Sequence, residues 1–279
     1  MKKTENNSDS GFLFTFKKYR SLLIELTRKN IKLKYRDSFL GILWSFVQPL
    51  LNMIVLSVVF TSIFGRKGDG IICYPIFLFS GRLLFEFFTT GTKAALNSFR
   101  VNAPIIKKVY VPKYMYPVSA ILSTFVTLGL SFLCFICVWI FFKLTNISNG
   151  GTMPLNWHML LVFVPICILL ILVVGIGFIL AVLQVYFRDI QYIWDVLCTL
   201  LFYMVPIIYD ASTIKSEWTQ ALIRINPLTH IITLFRQCVV DCKPMDINMI
   251  LYSLAWALAS LLIGLFIFNK KNDDLIYHM

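Results

Sequence analysis

The sequence predicts an all-α integral membrane protein with six spanning helices, and two observations lead to that fold class. Of 279 residues, 58% are hydrophobic and only 14% are charged, whereas soluble domains contain roughly 25% charged residues. The apolar residues also form successive segments of about 20 residues, the length that a helix needs to cross a bilayer. A chain with so few polar residues cannot cover a soluble core, so we expect lipid to be part of its solvent.

The predicted spans divide the chain into a transmembrane domain, residues 39–268, and two flanking segments, residues 1–38 and 269–279. Because the segment before the last span is more polar and contains two prolines, we expect no further span there. The expected spans are 39–64, 71–93, 117–144, 158–187, 190–209 and 247–268.

The segment before the first span has the pattern of an amphipathic basic helix. From Tyr19 to Leu33 apolar residues recur at near-helical spacing, with lysine and arginine largely between them. Such a helix is expected to lie in the headgroup plane of the membrane. A soluble surface helix is the alternative, but the sequence predicts no soluble core on which it could pack.

The basic residues predict the orientation of the chain. Ten of the 26 basic residues precede Phe39. If the N-terminus is cytoplasmic, six spans leave at least 17 basic residues inside and six outside, as the positive-inside rule requires. Both termini are therefore expected in the cytoplasm. Basic residues next to span ends also suit anionic membrane lipids, so we do not predict nucleic acid as a partner.

The sequence predicts neither catalytic residues nor a metal site. It contains no G-x-x-x-x-G-K-[ST] motif, so we expect no phosphate-binding loop in this chain. Its three histidines stand apart from carboxylate clusters, and no pair of Asp or Glu has a spacing typical of acid–base catalysis. Cys238 and Cys242 fall in a polar stretch, but with His230 they form only a weak candidate for a metal site.

Two charged residues in the second predicted span are four positions apart. Arg82 and Glu86 can therefore pair on one helical face. Charges inside a membrane usually face protein or water, because exposure to lipid is unfavourable. An ion pair that holds helices together is the favoured interpretation, and a gating role is the alternative. Asp195 lies near the inner end of the fifth span, where water can reach it.

Two predicted spans carry polar and aromatic residues at steps of three and four, which places them on one face of each helix. Such stripes either join helices through hydrogen bonds or line a path for sugars, which stack on aromatic rings and bond to amides. The pattern leaves both interpretations open. The stripes are Trp44, Gln48 and Asn52 in the first span and Tyr192, Asp195, Thr199 and Tyr203 in the fifth.

Four sequence blocks, in order and at compatible spacing, resemble a known family, the type-2 ABC exporter permeases, especially those that export lipid-linked polysaccharides. The resemblance covers nearly the whole chain. The blocks are KYR at 34–36 with LGILW at 40–44 and QPL at 48–50; NAPIIKKVYVP at 102–112; VYFRDI at 185–190 with PIIY at 206–209; and NPL at 226–228 with FR at 235–236.

The resemblance implies a homodimer in the bacterial cytoplasmic membrane, bound to two copies of a separate ATPase subunit that binds ATP and magnesium. The cargo would be a lipid-linked polysaccharide such as O-antigen, teichoic acid or capsular glycan. It further implies a channel lined by the first and fifth spans, a cytoplasmic turn at Arg188 and Asp189, and an outer gate of short re-entrant helices at 211–246.

The same resemblance implies a cytoplasmic coupling helix at about 98–111 that docks on the ATPase. A plain positive-inside loop is the alternative interpretation of this basic segment. Lys113 and Tyr114 stand where the family often has Arg-Glu, which bears on the details of docking. The residues implied in coupling are Asn102, Pro104, Lys107, Lys108, Tyr110 and Pro112.

Three other functions compete with polysaccharide export. A permease of the same class could carry a drug or a lipid. A membrane-embedded glycosyl- or acyltransferase would need a carboxylate or histidine cluster at a membrane face, and the sequence offers none. A passive channel would work without ATP.

Overall fold

The computed structural model describes residues 19–36, 38–59, 73–108, 111–145, 157–210, 216–241 and 243–271. Within these ranges the regular elements are helices, and no strand occurs. The all-α class is confirmed. The α-helices are α1 (Arg20–Lys34), α2 (Trp44–Val58), α3 (Tyr74–Ile106), α4 (Met115–Thr145), α5 (Phe163–Tyr186), α6 (Ile190–Met204), α7 (Glu217–Ile225), α8 (Pro227–Val239) and α9 (Ile247–Lys271).

Three of the described helices are long and apolar enough to cross a membrane: Met115–Thr145, Met159–Tyr186 and Ile247–Lys271. A 3-10 helix at Trp157–Val162 directly precedes α5. Shorter apolar helices cover Gly41–Leu56 and Ile190–Met204. A multi-pass membrane protein is therefore confirmed, whereas the count of six spans stays a prediction.

Two helices differ in their bounds from the predicted spans, whose ends in a membrane stay predictions. α3 continues without a break from Tyr74 to Ile106, past Lys93 and into the predicted coupling helix at 98–111. Its only internal proline, Pro104, lies in the last turn, so nothing in the sequence interrupts the helix earlier. Helix α6, in the fifth predicted span, ends at Met204, five residues before the predicted span end at 209. Pro206 explains this end, since proline disfavours helical geometry in the residue before it.

The core of the bundle lies between α3, α4, α5 and α9. The helices α5 and α9 cross at two glycines: a Cβ atom on Gly264 would lie 2.5 Å from the carbonyl oxygen of Gly175. Small residues of this kind let membrane helices approach until their backbones touch. On the other side of the bundle, α2 and α6 both pack against α3, but α6 buries only Cys198.

The predicted amphipathic helix is present as α1. Its Leu23 and Leu26 are buried in a cluster with Phe99, Met115 and other residues of α3, α4, α5 and α9. The helix therefore packs on the membrane domain itself. Its position in the headgroup plane stays a prediction.

The predicted gate region contains two short helices, α7 and α8. Asn226 caps α8, because its Oδ1 accepts a hydrogen bond from the backbone N–H of Leu228 at 3.0 Å. The expected polar environment of Cys238 is wrong: the side chain is fully buried in α8. Cys242 lies outside the described residues.

Candidate functional site

Helix α3 exposes one continuous polar stripe. Between Gly81 and Arg100, only eight residues are not buried, and seven of them have polar side chains. They recur at steps of three and four, so they lie on one face of the helix. We call this face the polar stripe, and it consists of Arg82, Glu86, Thr89, Thr90, Lys93, Asn97 and Arg100.

The polar stripe is long enough to cross most of a membrane. From Arg82 to Arg100 the helix rises by about 27 Å, close to the roughly 30 Å of hydrocarbon in a bilayer. Four charges on a lipid-facing surface of this length would be strongly unfavourable. The stripe must therefore face protein or water.

Helix α6 lies along one side of the polar stripe. The Nζ atom of Lys93 is 2.9 Å from Oδ1 of Asp195, in an ion pair whose side chains are 44% and 56% exposed. At the preceding residue of each helix, Trp194 donates from Nε1 to Oγ1 of Thr92 at 3.0 Å. These contacts fix α6 to α3 through polar groups, and they leave the ion pair open to its surroundings.

Helix α2 borders the other side of the stripe. Trp44 and Gln48 of α2 line a cavity of about 70 Å³ together with Glu86 and Thr90 of the stripe. Hydroxyl groups of α4 also line it, including that of Ser131, which donates to the carbonyl oxygen of Ser45 at 3.1 Å. The cavity has both polar and apolar lining groups, and its volume is enough for a few water molecules beside Glu86.

The seven predicted channel residues lie on the two helices that flank the stripe. On α6, Tyr192 and Tyr203 are 65% and 67% exposed. Thr199 is also exposed and donates to the carbonyl oxygen of Asp195 at 3.0 Å. On α2, Trp44 is 42% exposed; Gln48 is exposed, and Asn52 is half-buried. Their role in a channel stays a prediction.

Arg82 and Glu86 are placed on one helix, with Nε and Oε2 3.9 Å apart. The guanidinium of Arg82 lies over the ring of Phe202 in α6, 5.3 Å from its centroid. The contact between helices is therefore the cation–π interaction, whereas the ion pair lies within α3. Whether the pair holds the structure or gates it stays open.

A fully enclosed arginine sits at the opposite end of α3 from Arg100. Arg236 of α8 is 6% exposed. Its guanidinium donates to the carbonyl oxygens of Pro206 (2.6 Å), Ile207 (3.0 Å) and Phe77 (3.0 Å). Its Nε also donates to the hydroxyl of Ser80 at 3.3 Å. One side chain thus joins α8, the first turns of α3 and the non-helical segment after α6.

The glycine at position 81 leaves room for the guanidinium of Arg236. A Cβ atom at Gly81 would lie 2.6 Å from Nη2 of Arg236, so a larger residue would displace the guanidinium. The break at Pro206 makes the carbonyl groups of Pro206 and Ile207 available to Arg236, because they lie beyond the end of α6. Burial lowers the pKa of the Arg236 guanidinium to about 9, and the negative charges of Asp210 and Asp241 oppose this shift.

The residues implied in coupling do not share one surface. Asn102 is 3% exposed, and its Oδ1 accepts a hydrogen bond from Nζ of Lys29 in α1 at 3.0 Å. Lys107 and Lys108 are exposed just beyond α3, and Pro104 is exposed in its last turn.

Of the remaining two coupling residues, Pro112 is half-buried before α4, and Tyr110 lies outside the described residues. Asn102 therefore anchors α1 to α3, while the two lysines offer the exposed basic surface. Docking on an ATPase stays a prediction for all six residues.

The sequence interpretation missed the polar stripe of α3 and the role of Arg236. The spacing of Arg82, Glu86, Thr90, Lys93 and Asn97 was visible in the sequence, but ending the span at Lys93 cut the pattern short. Arg236 gave no comparable signal, because its acceptors lie far from it along the chain.

The protein is a multi-pass helical bundle, and two further helices flank its membrane-length polar face. These features are typical of membrane transport permeases. The chain is a member of the ABC-2 type transporter family, whose model matches residues 21–240.

Named relatives match over nearly their whole length. The O-antigen export system permease protein RfbA of Myxococcus xanthus is 29% identical over 92% of this chain and 94% of its own. The RfbA protein of Klebsiella pneumoniae is 31% identical over 93% of each chain. The polysialic acid transport protein KpsM of Escherichia coli is 23% identical over 89% of this chain and 92% of its own.

Proposed function

We propose that this chain is the membrane subunit of an ATP-driven exporter that moves a lipid-linked polysaccharide across the bacterial cytoplasmic membrane. The observation that carries the proposal is the polar stripe of α3, a polar face of membrane length along which we place the path of the cargo. The relatives support the cargo, because two of them export O-antigen and one transports polysialic acid. Both termini lie in the cytoplasm in this proposal.

The path suits a polymer better than a small ligand. The stripe consists largely of hydroxyl, amide and charge-paired groups, and the flanking helices add exposed rings at Trp44, Tyr192 and Tyr203. Such groups form weak and exchangeable contacts with sugars. A long chain that must slide needs contacts of this kind, since a tight site would stall it.

The energy source is a separate ATPase subunit, present in two copies on a homodimer of this chain. The lack of a phosphate-binding motif supports this division of labour. The exposed Lys107 and Lys108, which follow α3 directly, are the proposed docking surface. Because α3 carries the polar stripe, a force on its end would act directly on the wall of the path.

The test is depletion of this chain in cells that display a surface glycan. We expect the glycan to disappear from the surface and to accumulate inside the cell. Wild-type chain should restore export when the partner ATPase is present and should not restore it when the ATPase is absent. Normal surface glycan together with a new sensitivity to a drug would instead support a drug permease.

A further inference from the structure

The inner end of the polar stripe opens into a cavity of about 510 Å³. This volume lies within the range of sites for small ligands, about 300–1,000 Å³. The cavity lies between the cytoplasmic end of α3, in the proposed orientation, and the turn that joins α5 to α6. It is lined by Phe99, Arg100, Ala103, Gln184, Val185, Arg188, Asp189, Gln191 and Tyr192.

The cavity has an excess of positive charge. Arg100 and Arg188 line it against the single carboxylate of Asp189. Among the residues that the structure describes, neither guanidinium forms an ion pair. Arg100 donates only to the neutral Oε1 of Gln191, at 3.3 Å. Further along the stripe, by contrast, Lys93 is paired with Asp195.

The backbone at both arginines is held by neighbouring residues. Gln184 is 7% exposed and donates from Nε2 to the carbonyl oxygen of Arg188 at 3.3 Å, which holds the turn. Phe99, next to Arg100, is 2% exposed and stacks on Phe268 with centroids 6.2 Å apart. A site built on such fixed backbone loses little freedom when a ligand binds.

We propose that this cavity binds the phosphate or diphosphate group of the lipid-linked cargo, with Arg100 and Arg188 as its ligands. The proposal rests on the proposed function and names the part of the cargo that enters first. Guanidinium groups bind phosphate oxygens through paired, charge-assisted hydrogen bonds. The exposed ring of Tyr192 offers a stacking surface for the sugar next to the phosphate. The glycan then meets the polar stripe beyond, where Lys93 is paired with Asp195.

The test measures binding of farnesyl diphosphate to the purified full-length chain by calorimetry. Arg100→Gln and Arg188→Gln should each weaken binding by roughly tenfold or more, the range for hydrogen bonds to charged groups. Asp189→Asn should tighten it, a change that misfolding cannot produce. Lys270→Gln is the matched control, because Lys270 is an exposed cation at the same end of the bundle and should leave binding unchanged.

Two further arms separate the alternatives. Inorganic pyrophosphate that binds as tightly as farnesyl diphosphate would support the anion site but assign it to a soluble phosphate. Unchanged affinity in both arginine variants, or equal loss in Lys270→Gln, would overturn the site. Loss of the partner ATPase from both arginine variants with unchanged ligand affinity would identify a protein contact instead. Binding needs neither ATP nor export, so its failure is distinct from failure of the proposed function.

Discussion

Replacing Arg236 with methionine should destabilise the protein, because it removes the side chain that joins α8 to α3 and to the segment after α6. The substitution leaves the carbonyl oxygens of Pro206 and Ile207 without their donor, while Phe77 keeps the hydroxyl of Ser80. Two buried acceptors without partners cost about 2–6 kcal/mol, at 1–3 kcal/mol each. Part of this cost is offset, because the variant no longer buries a charge.

The assay is thermal unfolding of the detergent-purified chain, followed by fluorescence. We expect Arg236→Met to lower the midpoint by about 5 °C or more, since 1 kcal/mol corresponds to roughly 2–4 °C in a chain of this size. Arg224→Met is the matched control, because Arg224 is exposed in the neighbouring α7. Equal and small shifts in both variants would refute the assignment of Arg236 as the link between α8, α3 and the segment after α6.

Three shorter predictions test other contacts. Gly264→Val should lower the folded yield and cost about 1–3 kcal/mol of stability by overpacking. Gly129→Val should not, because a Cβ atom at Gly129 meets no atom within 4 Å. Equal effects of the two substitutions would contradict the close crossing of α5 and α9. Lys108→Glu should reduce co-purification of the ATPase, and unchanged binding would favour a plain loop. Lys93→Gln should change stability by less than about 1 kcal/mol, since the ion pair of Lys93 with Asp195 is half exposed, but it should reduce export. Exchanging Lys93 and Asp195 should restore export. Export that neither change affects would remove this ion pair from the path.

The sequence was sufficient for the features that depend on composition and local pattern. Apolar segments of span length predicted the all-α membrane class, and helical spacing predicted α1. The two stripes on the flanking helices were also visible, because side chains three and four apart must share a face. Such patterns need no knowledge of distant contacts.

Features that depend on tertiary contacts could not be predicted in the same way. The partner of Asp195 is Lys93, about a hundred positions earlier, and no local rule connects them. Arg236 looked like an ordinary outer basic residue, although burial by distant carbonyl groups makes it part of the core. Asn102 was implied at a docking surface, but its contact with Lys29 depends on how α1 folds back on α3.

The most direct test of the central claim, that the polar stripe of α3 faces an aqueous path, is cysteine accessibility during export. In a chain whose native cysteines are replaced, Thr90→Cys and Asn97→Cys should react rapidly with a charged thiol reagent, and the reaction should block export of the glycan. Val126→Cys and Leu133→Cys, at exposed apolar positions of α4, should react slowly and leave export intact. Rapid reaction at the α4 positions with protected stripe positions would contradict the account.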